Sequence, residues 1–98
     1  MQIEFATNRL AAAGLSYSEV TRLFGVPIGR KYVQTLAVLR AAEVFTELYA
    51  HRAHRLHPMK GDRAGGYAIT LTGNHRLIIE QVREDAIRIL GVEDYHGD

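Results

Sequence analysis

Residues 67–92 read YAITL-TGN-HRLIIEQV-RED-AIRILGV, and this stretch decides the fold. Tyr67 to Leu71 alternates polar and apolar side chains as a half-buried strand does. Thr72-Gly73-Asn74 is a hairpin signal, and His75 to Val82 forms a second strand. Arg83-Glu84-Asp85 is a second tight connection, followed by a third strand from Ala86 to Val92 with a bulge expected at Gly91. Connections this short make the three strands an antiparallel meander.

Upstream, the period changes. In residues 2–6, Ile3 and Phe5 share one face of a short strand, placed at one side of the meander. Thr7 or Asn8 caps a short helix through Leu10 and Ala13, stopped by Gly14. Ser16-Tyr17-Ser18-Glu19 has capping-box spacing, and its helix buries Val20, Leu23 and Phe24 before ending near Gly25. Pro27 and Gly29 punctuate the chain before a longer helix from Arg30. That helix is predicted to bury Val33, Leu36, Ala37, Ala41, Val44 and Leu48, with a break near Ala41–Ala42 and a short last helix to Tyr49. The order β–α–(α)–α–β–β–β predicts one α+β domain over residues 1–98. It is a small, mostly antiparallel sheet with two to three helices packed on one face.

The composition narrows the chemistry. The chain has 98 residues and no cysteine, which removes disulfides, thiolate metal sites and a cysteine nucleophile. No basic start precedes an apolar run, and no stretch approaches a membrane span, so a cytoplasmic protein without membrane contact is expected. The net charge is only +1, but it is unevenly spread. Between residues 51 and 76, Arg52, Arg55, Lys60, Arg63 and Arg76 face Asp62 alone. Between residues 77 and 98, six acids outnumber Arg83 and Arg88. Four of the five histidines, His51, His54, His57 and His75, also lie in the basic middle. A concentrated basic segment in a near-neutral chain points to a local anion site.

The common nucleotide, metalloprotease and serine-hydrolase motifs are absent. His51, His54 and His57 are spaced three apart, but Pro58 opposes a regular helix there, so no metal or other cofactor is expected. One constellation remains. His57 and Lys60 precede the glycine-rich turn, Arg76 opens the middle strand, and Asp94, Tyr95 and His96 follow the last strand. Because neighbouring strands run antiparallel, Arg76 and residues 94–96 meet at one end of the sheet. Such a set suits phosphodiester cleavage in RNA. A base takes the ribose 2′-OH proton, cations stabilise the phosphoryl oxygens, and an acid protonates the leaving 5′-oxygen. Lys60 and Arg76 serve as the cations; base and acid stay open among His57, Asp94, Tyr95 and His96. Arg52, Arg55, Arg63 and His75 are candidate RNA contacts.

Four short motifs in order, His57-Pro58-Met59-Lys60-Gly61-Asp62-Arg63, Gly66-Tyr67-Ala68-Ile69, Asn74-His75-Arg76-Leu77 and Val92-Glu93-Asp94-Tyr95-His96, resemble the HigB-type branch of the RelE/ParE toxins. The resemblance covers roughly residues 54–97; the first half agrees only in layout. It implies a RelE-like fold and the toxin of a bacterial type II toxin–antitoxin module. Its implied activity is metal-independent, ribosome-dependent mRNA cleavage. Its implied partners are an antitoxin of helix-turn-helix type, the ribosome and mRNA, with operator DNA met only through the antitoxin. By the family pattern, His57, Lys60, Arg76, Asp94, Tyr95 and His96 match active-site positions. Two alternatives share the fold: a ParE-like topoisomerase inhibitor, and an inactive or regulatory module partner. In two places the chain departs from the pattern. Ala64-Gly65-Gly66 stands where relatives often carry Lys-Gly-Gln, and His75 stands where an aromatic often precedes the arginine.

Overall fold

A computed structural model of the chain describes residues 1–94. Strands β1 (Gln2–Phe5), β2 (His57–Pro58), β3 (Gly66–Thr70), β4 (His75–Arg83) and β5 (Ala86–Asp94) form one sheet in the order β1-β5-β4-β3-β2. The meander β3-β4-β5 is antiparallel as expected, and β1 joins it beside β5 in parallel. The sequence reading did not anticipate β2, a two-residue strand pairing His57 with Ala68 and Pro58 with Tyr67.

Between β1 and β2 the chain crosses one face of the sheet through α1 (Asn8–Leu15), α2 (Tyr17–Phe24) and α3 (Val26–Ala41). Short 3-10 turns follow at Phe45–Ala50 and Arg52–His54. Thr7 caps α1 by accepting from the Leu10 amide at 3.2 Å. Gly14 does not stop α1, which runs one residue further; a side chain there would meet the Phe5 ring at 2.9 Å. Ser16 caps α2 as predicted, accepting from the Glu19 amide at 3.3 Å, but the Glu19 carboxylate pairs with Arg22 instead of reaching back.

The longer helix differs from expectation in two ways. It starts at Val26, because Pro27 falls in the first turn, where a missing amide hydrogen costs nothing. Gly29 is therefore helical and buried. A Cβ there would lie 3.1 Å from Thr21 Cγ2, so its absence lets α2 and α3 pack closely. The buried stripe is also rotated, to Tyr32, Thr35, Leu36 and Leu39, while Val33, Ala37 and Ala41 are exposed. Tyr32 can be buried because its hydroxyl donates to the Leu10 carbonyl at 3.2 Å, and burial pushes its pKa up to about 12. The helix ends at Ala41 with Ala42 as its cap, at the predicted break.

The main core lies between helices and sheet: Leu10, Val20, Tyr32, Leu36, Leu39, Phe45, Leu48, Ile69, Leu77, Ile79, Ile87 and Ile89 are its principal members. A smaller cluster of Met59, Ala68 and Ile78 sits on the opposite, helix-free face. Among the described residues, no helix is long and apolar enough to cross a membrane.

Candidate active-site face

Strand alternation divides the sheet's side chains. Ile69, Leu77, Ile79, Ile87 and Ile89 face the helices. Ala68, Thr70, Arg76, Ile78, Glu80 and Arg88 alternate with them and take the open face. One irregularity then changes the parity of β5. Ile79 pairs with Ile89, but Ile78 pairs with Gly91, so Leu90 is an extra residue with no partner. This is the bulge expected at Gly91. It returns Val92 to the helix side, where it packs on the core, and puts Glu93 on the open face.

Glu93 is the register partner of Arg76. Its carboxylate is gripped by Arg63: Nη1 donates to Oε1 at 2.7 Å and Nη2 to Oε2 at 2.5 Å. The Arg63 guanidinium holds the Glu93 carboxyl below the usual carboxylate range. Arg88 donates to Glu4 at 2.8 Å and also to Glu80, an acid–base–acid row across β1, β5 and β4. Part of the acidic C-terminal surplus is thus engaged by Arg88 within the sheet and by Arg63 in the turn beside it.

His57 stands on β2 opposite Ala68. Its Nδ1 is 2.9 Å from the carbonyl oxygen of Arg55, a residue held in the left-handed region at φ 51°. A carbonyl only accepts, so Nδ1 carries the hydrogen and the neutral ring keeps its lone pair at Nε2. Arg76 Nη1 donates to three carbonyls of the β3–β4 hairpin: Thr72 at 2.9 Å, His75 at 3.1 Å and Gly73 at 3.3 Å. The hairpin therefore sets where the guanidinium sits. Ala68 pairs with Ile78 and Thr70 with Arg76, so His57 and Arg76 lie one strand apart in adjacent rows. Strand spacing and rise place their Cα atoms roughly 12 Å apart. Side chains of this length can approach one phosphodiester from two sides.

Lys60 is exposed and opens the glycine turn. Asp94 is the register partner of His75, one residue beyond the Arg76–Glu93 pair. Alternation puts it on the helix side at the end of β5, and the bulge leaves Glu93 as the acid opposite Arg76 on the open face. Tyr95 and His96 lie outside the described residues. Of the predicted RNA contacts, Arg52 and Arg55 are exposed in and after the second 3-10 turn. Arg63 is engaged by Glu93, and His75 Nδ1 is 3.1 Å from the Thr72 hydroxyl. Nearby, burial and the charges of His51 and Lys31 lower the pKa of His54. Among the described residues, no three His, Asp or Glu side chains come together as a metal site. Sequence reasoning missed Glu93 and the hairpin carbonyls. Glu93 could have been found only by counting through the bulge.

No family model matches the chain. A curated relative named Endoribonuclease HigB, from Proteus vulgaris, is 40% identical over 60 residues, which span 59% of this chain. The match covers 64% of that relative, just under two thirds of its length. Among solved structures, a YoeB/ParE toxin from Agrobacterium tumefaciens aligns over 98% of this chain and 100% of its own, with TM-score 0.63 and 13% identity. The YoeB-YefM complex from Staphylococcus aureus aligns over 99% of this chain and 98% of its own, with TM-score 0.61 and 16% identity. YafQ from E. coli strain BL21(DE3) aligns over 95% and 91%, with TM-score 0.55 and 13% identity. The chain therefore has the RelE/YoeB-like toxin fold, and over the matched stretch it is a homologue of a protein named Endoribonuclease HigB.

Proposed function

We propose that the chain is the toxin of a type II toxin–antitoxin module and a metal-independent endoribonuclease that cuts mRNA on the ribosome. The observation that carries this reading is the open face itself. It presents His57 with an unshared Nε2 lone pair, and Arg76 with its guanidinium fixed by hairpin carbonyls. The 40% identity to a HigB endoribonuclease supports the same reading.

The reaction is an in-line attack of the ribose 2′-oxygen on phosphorus. The 2′-OH proton passes to a base, the bond to the 5′-oxygen breaks, and an acid protonates that oxygen, leaving a 2′,3′-cyclic phosphate and a 5′-OH. Lys60 and Arg76 stabilise the charge that develops on the phosphoryl oxygens. His57, Asp94, Tyr95 and His96 divide the proton transfers, with Tyr95 also able to stack on a base. Arg52, Arg55 and His75 line the approach for RNA. The partner that silences the toxin is an antitoxin, of helix-turn-helix type by the resemblance, and the site of action is the cytoplasm.

The test is a defined mRNA in a reconstituted translation reaction, mapped by primer extension. Cuts that require ribosomes support the reading, and intact mRNA in the presence of folded protein refutes it. One observation favours a same-fold binding module instead: acids on the open face already engage Arg63 and Arg88. DNA damage with intact mRNA in expressing cells selects that second reading.

A further inference from the structure

The turn that carries Lys60 is closed at its base and folds in the middle into one short 3-10 turn, Gly61–Arg63. The Met59 amide donates to the Gly66 carbonyl at 2.9 Å, and Met59 is buried against Ala68 and Ile78. Beyond that base stand Gly61 at φ 68° and Gly65 at φ 101°, two left-handed positions that glycine adopts without strain. Within the turn, the Ala64 amide donates to the Gly61 carbonyl at 3.1 Å, a local bond that does not tie the turn to β5.

Arg63 supplies the missing constraint. Its amide donates to the Lys60 carbonyl at 3.3 Å, and its guanidinium forks onto Glu93 across 30 residues of sequence. A continuous link thus runs from the Lys60 backbone through Arg63 to β5. Its endpoint, Glu93, is the register partner of Arg76. The two side chains are 44% and 40% exposed, and a single-contact pair at that exposure would be weak. The two parallel bonds give this pair fixed geometry as well as charge.

We propose that Glu93 and Arg63 form a positioning clamp, which fixes the 60–65 turn against the end of β5 so that Arg63 orients Lys60 instead of contacting RNA phosphate. What Lys60 does once positioned rests on the nuclease reading above; the clamp itself does not. Arg63 is thereby moved from the predicted RNA contacts to a positioning role. The Leu90 bulge becomes part of the site, because it delivers Glu93 to the open face.

The experiment uses the full chain as parent, Glu93→Gln, Arg63→Ala and the exchange Arg63→Glu/Glu93→Arg. Hydrogen exchange of residues 60–65 and trypsin cleavage after Lys60 read the turn without reference to nuclease activity. In Glu93→Gln both should speed up by about tenfold or more, while the core amides stay protected. Single-turnover cleavage on programmed ribosomes reads the consequence. The maximal rate should fall about tenfold through misplacement of Lys60. Ribosome affinity should hold within about threefold of parent, since no cation that contacts RNA is removed. The exchanged pair should recover both the slow turn and the rate to within about threefold of parent, as the rebuilt ion pair restores the link. Unchanged exchange in Glu93→Gln overturns the clamp. An exchanged pair with a slow turn but the rate of Arg63→Ala also overturns the assignment, because Arg63 is then itself an RNA contact. If the parent cuts no RNA, the nuclease reading fails, and the exchange data alone decide the clamp.

Discussion

His57 Nδ1 lies 2.9 Å from the carbonyl oxygen of Arg55, so the backbone two residues upstream fixes which ring nitrogen faces outward. Arg55 reaches that position only through a left-handed backbone, an uncommon conformation for a residue with a side chain. Local strain of this sort commonly accompanies a functional demand on the neighbouring side chain.

The first prediction concerns this imidazole. Long-range proton–nitrogen NMR should find neutral His57 in the Nδ1–H tautomer. In single-turnover cleavage, His57→Ala should slow the reaction by about 10²- to 10⁴-fold, the usual range for a lost general acid or base. A neutral ring protonated at Nε2, or a His57→Ala variant as fast as parent, contradicts the assignment.

A second prediction follows from the bulge. Deleting Leu90 removes the unpaired residue and restores plain alternation, with Gly91, Val92 and Glu93 still opposite Ile78, Leu77 and Arg76. Val92 therefore stays on the core and Glu93 on the open face. Urea denaturation should show a change of about 1 kcal/mol or less, since no apolar side chain leaves the core and no carboxylate enters it. A loss of several kcal/mol would mean that the strand shifts register instead of closing the gap.

The third concerns Tyr32, buried with its hydroxyl on the Leu10 carbonyl. Tyr32→Phe should cost about 1 kcal/mol at neutral pH, the net value of such a bond. The pH dependence has a definite sign. Burial raises the folded pKa to about 12 from 10.0 unfolded. The folded state therefore holds its proton more tightly, and the contribution is complete below pH 10 and lost as pH rises toward 12. Denaturation midpoints between these limits should fall more steeply in parent than in Tyr32→Phe. Parallel curves would count against the burial effect.

These residues also mark how far the sequence could be read. The meander was legible because Thr72-Gly73-Asn74 and Arg83-Glu84-Asp85 punctuate an otherwise unbroken alternation, and the Gly91 bulge was legible as a glycine inside a strand. The start of α3 was not, because Pro27 breaks a helix interior but suits a first turn, and local sequence does not distinguish the two. The rotation of its buried face was hidden for a related reason. Tyr32 and Thr35 read as polar positions, and only the tertiary partner at Leu10 shows that Tyr32 can be buried at little cost. The placement of Arg76 beside the end of β5 followed from strand order alone; that of His57 did not, because it depends on the two-residue pairing of β2 with β3. The choice between Glu93 and Asp94 did not, because one unpaired residue decides which of two adjacent acids shares a face with Arg76.

Arg76 offers the most direct test of an RNA-cleaving open face. Single-turnover cleavage of mRNA on programmed ribosomes should be compared for parent, Arg76→Ala and Arg76→Lys, each shown to be folded by circular dichroism. Because Arg76 Nη1 also binds hairpin carbonyls, the lysine variant separates charge from the planar fork. The predicted result is a fall of about 10²- to 10³-fold for Arg76→Ala, with a smaller loss for Arg76→Lys. A folded Arg76→Ala protein that cuts at the parental rate would contradict the proposed site.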